Sequence, residues 1–423
     1  MTDPSTRGHT ARALRRIGAA LALGPGLSHH HRTVLLLLGA ATLFEGYDRF
    51  IISLALPYIG RDLGASEAAL GWSLSLIRLG ALSSIALGWA ADRYGRRRVL
   101  LFTVLGYTLA TAATGFSRGL GTFVAFQLVA TIFLTAELVL AQVVIAEEFP
   151  AKYRGRGQGM LGAFAALGAG GAAMLFPLLQ ATPLGWRGLY FVGLAPLLLV
   201  AHLRRRLPET RRWHRQITAS PEMRTGLAEL LRPGLRSRFL ALNALAGSAT
   251  FVAGAAFGFA SYRATNTFGW SPAEVSGMII AGGAIGMSGW FVLGRSADVV
   301  GRRVTGSIAM FGSGLAVAAF YGTPWLLPSF ALLVFMEAGV AIALNTLGTE
   351  LFPTRLRATA KSWLTNAGIV GSMLGLAAVG ATSNALGGAS TVILILALIP
   401  MIAAPFLFML PETRGAELED LAD

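Results

Sequence analysis

The chain has 423 residues, of which 54% are hydrophobic and 13% are charged, and its formal net charge is +14. Because a soluble domain is usually about one quarter charged, this composition excludes an ordinary soluble protein and predicts an integral membrane protein. The chain contains no cysteine, which excludes disulfides, thiolate metal sites and a cysteine nucleophile.

A basic tail occupies residues 1–32, and its apolar piece at 17–23 is far shorter than the ~20 residues needed to span a bilayer. We expect a cytoplasmic tail that is disordered or lies on the membrane surface. A cleaved signal peptide is the alternative, which the long apolar run that follows disfavours. His29, His30 and His31 look like a metal tract, but no carboxylate cluster matches them, and we expect no metal site.

Twelve hydrophobic runs of roughly 20 residues follow, and each predicts a membrane span. They lie at 33–58, 67–90, 98–117, 122–147, 157–180, 188–204, 239–262, 273–295, 303–321, 326–349, 359–382 and 390–410. Backbone groups in hydrocarbon must be hydrogen-bonded within the structure, and these runs lack the short alternation of barrel strands. The predicted fold class is therefore an all-α membrane protein with 12 transmembrane helices.

The long soluble segment 205–238 divides the spans into a first six-helix bundle at 33–204 and a second at 239–410, with a cytoplasmic tail at 411–423. Apolar residues alternate with charges in the dividing segment. This pattern favours a helix that lies on the inner leaflet, and a plain linker is the alternative.

Of the 35 Lys and Arg residues, all but six fall in the loops of one side of this topology. The positive-inside rule makes that side the cytoplasm and places both termini there, as expected for a multi-pass protein of the plasma (bacterial inner) membrane. A nucleic-acid surface would need a soluble module to carry it, and the sequence offers none. We expect the lipid bilayer, a small-molecule substrate and protons as partners, no nucleic acid, no cofactor, and function as a monomer.

Two charged motifs stand at matching positions, GWAADRYGRRR at 88–98 and GRSADVVGRR at 294–303. Two further pairs share one offset along the chain. A Glu-x6-Arg spacing joins Glu147 to Arg154 and Glu350 to Arg357, and Leu-Pro-Glu-Thr ends both halves, with Glu209 and Glu412. The two halves are therefore repeats, which predicts a substrate site near the midplane, between them.

These motifs resemble the major facilitator superfamily of secondary transporters, whose loop between helices 2 and 3 carries a G-x-x-x-D-R-x-G-R-R-type motif, echoed between helices 8 and 9. The Glu-x6-Arg and Pro-Glu-Thr spacings resemble its sugar-porter-like branch. The resemblance implies two pseudo-symmetric six-helix bundles and a cytoplasmic gate, whose charges pair in one conformation and separate in another. The alternative is that the charges only fix the topology and solvate helix ends. The implied gate residues are Gly88, Asp92, Arg93, Gly95, Arg96, Arg97, Glu147, Arg154, Glu209, Gly294, Asp298, Gly301, Arg302, Glu350, Arg357 and Glu412.

Charges inside the spans form a second set, and each costs ~2.5–3.5 kcal/mol on insertion scales, so each calls for a partner or a task. Glu45 and Asp48, in FEGYD at 44–48, share one helix face. This stretch resembles the acidic G-Y-D signature in helix 1 of proton-coupled organic-acid and phosphate porters, with Glu45 in place of the first Asp. A buried carboxylate that loads and releases a proton is what proton coupling requires.

Further polar residues lie inside other spans. Arg78 keeps its charge, so it either pairs with Glu45 or Glu137 in a static salt bridge or binds an anionic substrate. Gln142 and Asn345 occupy equivalent positions in the two halves, as residues lining one cavity would. With Glu337, these residues complete the candidate set for proton coupling and substrate binding.

We expect a secondary active transporter that carries a small organic anion, a carboxylate or aromatic acid, together with protons by alternating access. Sugar or polyol symport with protons is an alternative, as is efflux of drugs or metabolites by proton antiport. A further alternative is a receptor or scaffold that transports nothing. The sequence contains no ATP-binding or hydrolase motif, so we do not expect an enzyme.

Overall fold

The computed structural model of the chain describes residues 29–83, 86–87, 90, 96–149, 151–194, 223–353 and 356–414. Within these ranges every regular element is an α-helix or a 3-10 helix, and no strand occurs. The predicted all-α fold is confirmed. The first 28 residues of the predicted tail, most of the dividing segment and the last nine residues lie outside the described part.

Six α-helices of the first half lie within the described ranges. They are α1 (His29–Asp62), α2 (Glu67–Leu79, continued by a 3-10 turn at Gly80–Ser83), α3 (Arg96–Gly115), α4 (Leu120–Glu148), α5 (Ala151–Gln180) and α6 (186–194).

The second half begins with a short helix from the predicted dividing segment and continues with the remaining spans. They are α7 (Met223–Leu230), α8 (Pro233–Phe268), α9 (Pro272–Gly286), α10 (Ser288–Val299), α11 (Arg302–Gly322), α12 (Leu326–Glu350), α13 (Arg357–Thr382), α14 (Ala389–Leu396), α15 (Leu398–Ala403) and a 3-10 turn (Ala404–Met409). Helices α9 and α10 meet at Met287 and form one span, and α14, α15 and the final turn form another.

Nine of the described segments are long and apolar enough to cross a membrane. They correspond to the third to fifth and the seventh to twelfth predicted spans. Helix α1 has 34 residues and is long enough, but it carries Glu45, Asp48 and Arg49 near its centre. The second and sixth predicted spans run on into residues outside the described ranges.

Local sequence signals set several helix ends. Ser66 caps α2, because its hydroxyl accepts a hydrogen bond from the backbone N–H of Ala69 at 3.2 Å. Ser271 and Glu274 form a reciprocal capping box at the start of α9. Helix α8 ends at Gly269, whose φ of +70° is a left-handed conformation that glycine adopts without strain. These caps set the start of α2, the end of α8 and the start of α9.

The buried apolar residues form cores that differ between the two ends of the helix bundle. We call the end that carries loop 294–303, Glu350 and Glu412 the basic end. At the opposite end, one continuous core draws on both halves, with Leu54 and Phe176 from the first half and Phe259, Phe320 and Val379 from the second.

At the basic end, each half keeps a core of its own. Leu38, Leu140 and Phe149 belong to a core of the first half, and Phe239 and Leu347 belong to a core of the second half. The two halves are therefore joined at the opposite end, and the conformation is one that is closed there.

Close backbone contacts and hydrogen bonds between the halves support the shared core. Helix α2 packs against α13 so tightly that a β-carbon on Gly71 would lie 2.5 Å from the backbone nitrogen of Gly380. Helix α1 packs against α8, where Arg61 donates to the Asn266 side chain at 2.6 Å. Glu67 accepts a hydrogen bond from the backbone N–H of Ala389 at 2.5 Å, at the first turn of α14.

The contact at Gly71 provides a test of this closure. We expect Gly71→Val to disfavour the closed opposite end, because overpacking a tight contact typically costs about 1–3 kcal/mol and the β-carbon would meet backbone atoms. A cysteine at Ile369 in a Gly71→Val background should then react with an impermeant thiol reagent from the opposite end about tenfold faster or more. Gly171→Val is the matched control, since a β-carbon there has no neighbour within 4 Å. Equal rates in the two variants would contradict the closure.

Candidate functional site

A cavity of about 440 Å³ lies between the halves, a size within the range of about 300–1,000 Å³ that small-molecule sites occupy. Its wall comes from the parts of α8, α12 and α13 nearer the basic end, with Arg78 of α2 as the contribution from the first half. The wall is mostly apolar. Its second-half residues are Ala246, Ala249, Thr250, Ala253, Gly254, Phe257, Glu337, Val340, Ala341, Leu344, Asn345, Leu364, Thr365, Gly368, Ile369 and Ser372.

Arg78 lies on the cavity wall without a carboxylate partner. It lies in the last turn of α2, where the backbone packs so closely against α4 that a β-carbon on Gly80 would lie 2.8 Å from the Leu128 carbonyl oxygen. Within the described ranges Arg78 makes no ion pair and no side-chain hydrogen bond. A guanidinium whose planar fork is free can bind a carboxylate through two parallel hydrogen bonds.

The predicted salt bridge from Arg78 to Glu45 or Glu137 is not formed. Glu45 pairs with Arg49, four residues further along the same helix, because a partner one turn away needs no approach between helices. Glu137 accepts a hydrogen bond from the Thr103 hydroxyl at 2.9 Å.

Asp48, the second acidic residue of the FEGYD stretch, is 3% exposed, and its carboxylate is incompletely satisfied. Its Oδ2 accepts a long hydrogen bond of 3.5 Å from Thr111 of α3. Its Oδ1 is buried and has no partner within the described ranges. An ionised carboxylate in such surroundings is poorly stabilised, and binding a proton removes the unpaired charge.

The neighbours of Asp48 in the stretch are positioning residues. A β-carbon on Gly46 would lie 2.0 Å from the Ala165 carbonyl oxygen, so glycine is required where α1 crosses α5. The Tyr47 hydroxyl donates to the Leu189 carbonyl at 2.9 Å and ties α1 to α6. The acidic side chains therefore occupy a fixed position beside α3.

Glu337 of α12 has a different setting from Glu137 of α4, the corresponding helix of the first half. Its Oε1 accepts a hydrogen bond of 2.5 Å from Ser313 of α11, much as Thr103 donates to Glu137. Glu337 also lines the cavity, which Glu137 does not. The sequence alone does not single out the hydroxyl donors Thr103 and Ser313, since Ser and Thr are frequent in membrane helices.

The symmetry predicted for Gln142 and Asn345 is not matched at this cavity. Asn345 lines it, and its side chain donates to the Ala341 carbonyl at 2.8 Å. Gln142 is exposed and does not line it, and its backbone carbonyl accepts a hydrogen bond from Gln158 at 2.7 Å.

The gate residues of the second half gather at the basic end around Arg302. Its guanidinium lies 3.2 Å from Glu350 and 3.5 Å from Asp298. The Thr413 hydroxyl also contacts Glu350. Each of these pairs joins elements of the second half.

The other predicted gate residues have varied positions. Arg357 donates to the Phe352 carbonyl at 3.1 Å. A β-carbon added to Gly294 would lie 3.7 Å from the Ile342 side chain. Gly88, Asp92, Arg93, Gly95 and Glu209, and the side chains of Arg96, Arg97, Glu147 and Arg154, lie outside the described part.

Of the predicted histidine tract, His31 packs its ring edge-on against Phe149, and its Nε2 lies 3.0 Å from the Glu148 carbonyl oxygen. This contact joins the start of α1 to the end of α4. The side chains of the other two histidines are not described.

Glu412 caps α11. Its two oxygens accept hydrogen bonds from the backbone N–H groups of Arg302 at 2.9 Å and Arg303 at 3.1 Å. Gly301, immediately before the helix, has a φ of +122°, and a β-carbon there would lie 2.6 Å from Glu412. Partial burial acts to raise the pKa of the Glu412 carboxyl, but the backbone hydrogen bonds, with those of Thr413 and Arg414, outweigh it and hold the pKa below its usual value.

This pKa shift predicts a pH-dependent contribution to stability. Because the folded pKa is the lower one, Glu412 stabilises the fold fully above the ordinary pKa of 4.5, and the contribution is lost as the pH falls through the folded pKa. We expect Glu412→Gln to lower the thermal unfolding temperature in detergent at pH 7, with a difference from wild type that stays constant down to about pH 4.5 and shrinks as the pH falls further. Asp298→Asn, at a carboxylate that is 75% exposed, is the control and should change little. A difference that does not shrink at the lower pH would contradict the cap.

Comparison with known proteins identifies the family. The sequence model described as Major Facilitator Superfamily matches residues 38–295 and 264–422. The cis,cis-muconate transport protein of Acinetobacter baylyi is 26% identical over 366 residues, covering 84% of this chain and 88% of that protein. The gallate transporter of Pseudomonas putida is 28% identical over 380 residues, covering 81% and 83%.

The crystal structure of a D-xylose-proton symporter superposes with a TM-score of 0.76 over 90% of this chain and 98% of that chain, at 20% identity, and so shares the fold. The family match spans both repeats found in the sequence, and the relatives match over most of their length. The chain belongs to the Major Facilitator Superfamily and is an integral membrane protein that acts as a secondary transporter.

Proposed function

We propose that this protein takes up a small organic anion in symport with protons. The observation that carries the proposal is Arg78, a guanidinium on the wall of a mostly apolar cavity with no anionic partner in the described part of the chain. A charge in such a site is retained only if it has a task. The relatives support the proposal at the level of organic anions, because cis,cis-muconate is a dicarboxylate and gallate is an aromatic monocarboxylate.

Asp48 is the proposed carrier of the coupled proton. It is buried, one of its oxygens lacks a partner in the described ranges, and it lies on the same face of α1 as Glu45. The proton enters when the site faces the acidic side of the membrane, and it leaves when the halves rock and the site faces the other side. Beside Asp48, the second carboxylate of the stretch, Glu45, is paired with Arg49.

The proposed orientation places the basic end in the cytoplasm, with both termini on that side of a bacterial inner membrane. The conformation described is then the one that releases substrate inward, since the opposite end is closed. In the alternate conformation, the charges around Arg302 and their counterparts in the first half close the basic end as a gate. The protein is proposed to function as a monomer.

Cysteine labelling tests the orientation. Arg118 and Arg187 lie at the opposite end and Arg98 at the basic end, so single cysteines at the first two should react from outside the cell with an impermeant thiol reagent. A cysteine at Arg98 should not react. The native chain has no cysteine, so the background is nil. Labelling of the Arg98 position in sealed cells would reverse the orientation.

Reconstituted transport tests the function. Proteoliposomes with an acidic outside should take up labelled benzoate faster than protein-free liposomes, which benzoic acid enters by diffusion alone, and a protonophore should abolish the accumulation in both. A gradient of one pH unit supports about tenfold accumulation if one proton accompanies one monoanion. Accumulation of a sugar such as xylose, with no carboxylate transported, would favour the sugar alternative and contradict the proposal.

A further inference from the structure

Glu337 lies on the second-half wall of the cavity that holds Arg78. Its Oε1 is occupied by the Ser313 hydroxyl at 2.5 Å, whereas its Oε2 has no hydrogen-bond partner in the described part of the chain. When this carboxylate is ionised it can only accept hydrogen bonds, and it then repels another anion in a site with little water. The two walls therefore carry groups of opposite chemistry.

Ser372 adds a second unsatisfied group on the same wall. It is 7% exposed, it lines the cavity, and its hydroxyl has no partner within the described ranges. Its side chain packs against Gly254 of α8, where a β-carbon would lie 2.0 Å from the hydroxyl oxygen. Buried hydroxyls are usually hydrogen-bonded, so an unpartnered one at a cavity wall points to a group supplied by a ligand.

We propose that Glu337, with Ser372, selects organic anions whose end away from the carboxylate carries a hydrogen-bond donor, such as a hydroxyl, and rejects dicarboxylates. This inference rests on the proposed function, because Arg78 must hold the carboxylate for the other end of the substrate to reach the second wall. The apolar residues between the two walls, such as Phe257 and Leu344, fit an aromatic or otherwise apolar body. The substrate class is then a hydroxylated aromatic or aliphatic monocarboxylate.

A matched series of benzoates tests the selection in the wild-type protein. 3-Hydroxybenzoate, 3-methylbenzoate and isophthalate have similar size and differ at one position in a donor, an apolar group and a second carboxylate. We expect 3-hydroxybenzoate to compete for uptake about 10- to 100-fold better than 3-methylbenzoate, the factor that a hydrogen bond to a charged group supplies. Isophthalate should compete least.

Two variants assign the selection to the cavity wall. Glu337→Gln keeps the size of the side chain and removes its charge, so isophthalate should compete at least about tenfold better than with wild type, and the advantage of the hydroxyl should shrink. Ser313→Ala leaves the charge in place and should preserve the rejection of isophthalate. It also keeps the test open if Glu337→Gln does not insert.

The outcomes separate this inference from the proposed function. If none of the three benzoates competes or is accumulated, the proposed function fails. If all three compete equally with wild type, or if Glu337→Gln inserts and leaves their order unchanged, the selection by Glu337 is wrong while anion transport stands. Loss of gradient-driven uptake of every benzoate in Glu337→Gln, with exchange retained, would make Glu337 a proton carrier and also overturn the selection.

Discussion

Replacing Arg78 with lysine is expected to weaken binding of carboxylate substrates about 10- to 100-fold while leaving membrane insertion intact. Lysine keeps the positive charge but loses the planar fork that binds both carboxylate oxygens, and charge-assisted hydrogen bonds are worth about that factor. Binding of labelled benzoate to purified protein measures the effect directly, without requiring transport. Arg118→Lys is the matched control, since Arg118 is exposed and does not line the cavity.

A double variant distinguishes substrate binding from a structural role of Arg78. If Arg78 and Glu45 formed a static salt bridge, Glu45→Gln with Arg78→Gln would recover the stability and the accumulation that each single change lost, because removing one partner strands the other charge. Since Glu45 pairs with Arg49, we expect no such recovery. Full gradient-driven accumulation by the double variant would contradict both the anion site and a coupling role for Glu45.

Asp48→Asn is expected to abolish accumulation driven by a pH gradient and to spare exchange of substrate for substrate. Asparagine resembles the protonated carboxyl but cannot release a proton, and exchange does not require release. Under a gradient of one pH unit, the initial rate of benzoate uptake should fall to that of protein-free liposomes, because the variant cannot release the proton whose movement drives net uptake.

Two further variants control for this result. Asp62→Asn removes a carboxylate of the same helix that pairs with Arg187 at the opposite end, and it should leave accumulation unchanged. Thr111→Val removes the hydroxyl that contacts Asp48 and should alter the pH dependence of uptake without abolishing it. Normal accumulation by Asp48→Asn would exclude Asp48 as the proton carrier and leave Glu45 and Glu337 as candidates.

Much of this molecule could be predicted because its strongest signals are local. A hydrophobic run long enough to cross a bilayer specifies a span whatever its tertiary contacts are, since backbone groups in lipid must bond within their own helix. Helix α4, predicted at 122–147, runs over Leu120–Glu148, and α12, predicted at 326–349, runs over Leu326–Glu350. The repeated motifs are also sequence properties, and they led to the family that the comparisons confirm.

The partners of the charged residues depended on the tertiary structure. The sequence places Glu45 and Arg78 in neighbouring spans, but whether they meet depends on how α1 and α2 are rotated, and that is set by contacts such as the one between Gly46 and α5. The structure pairs Glu45 with Arg49 and leaves Arg78 at the cavity. Similarly, Glu137 and Glu337 both lie inside predicted spans, at 122–147 and 326–349, yet only Glu337 of the two lines this cavity.

By itself, then, the sequence determined the helical membrane fold, the two repeats and the set of charged residues inside the membrane, because each follows from composition and spacing within a segment. Only the tertiary structure decided which end of the bundle is closed and which polar groups face one another. Those features require contacts between distant segments, such as Gly71 with Gly380 and Arg61 with Asn266, whose geometry depends on how the two halves pack. A rocking transporter exchanges such contacts between conformations of one sequence, so the sequence specifies the set of conformations and the packing distinguishes one from another.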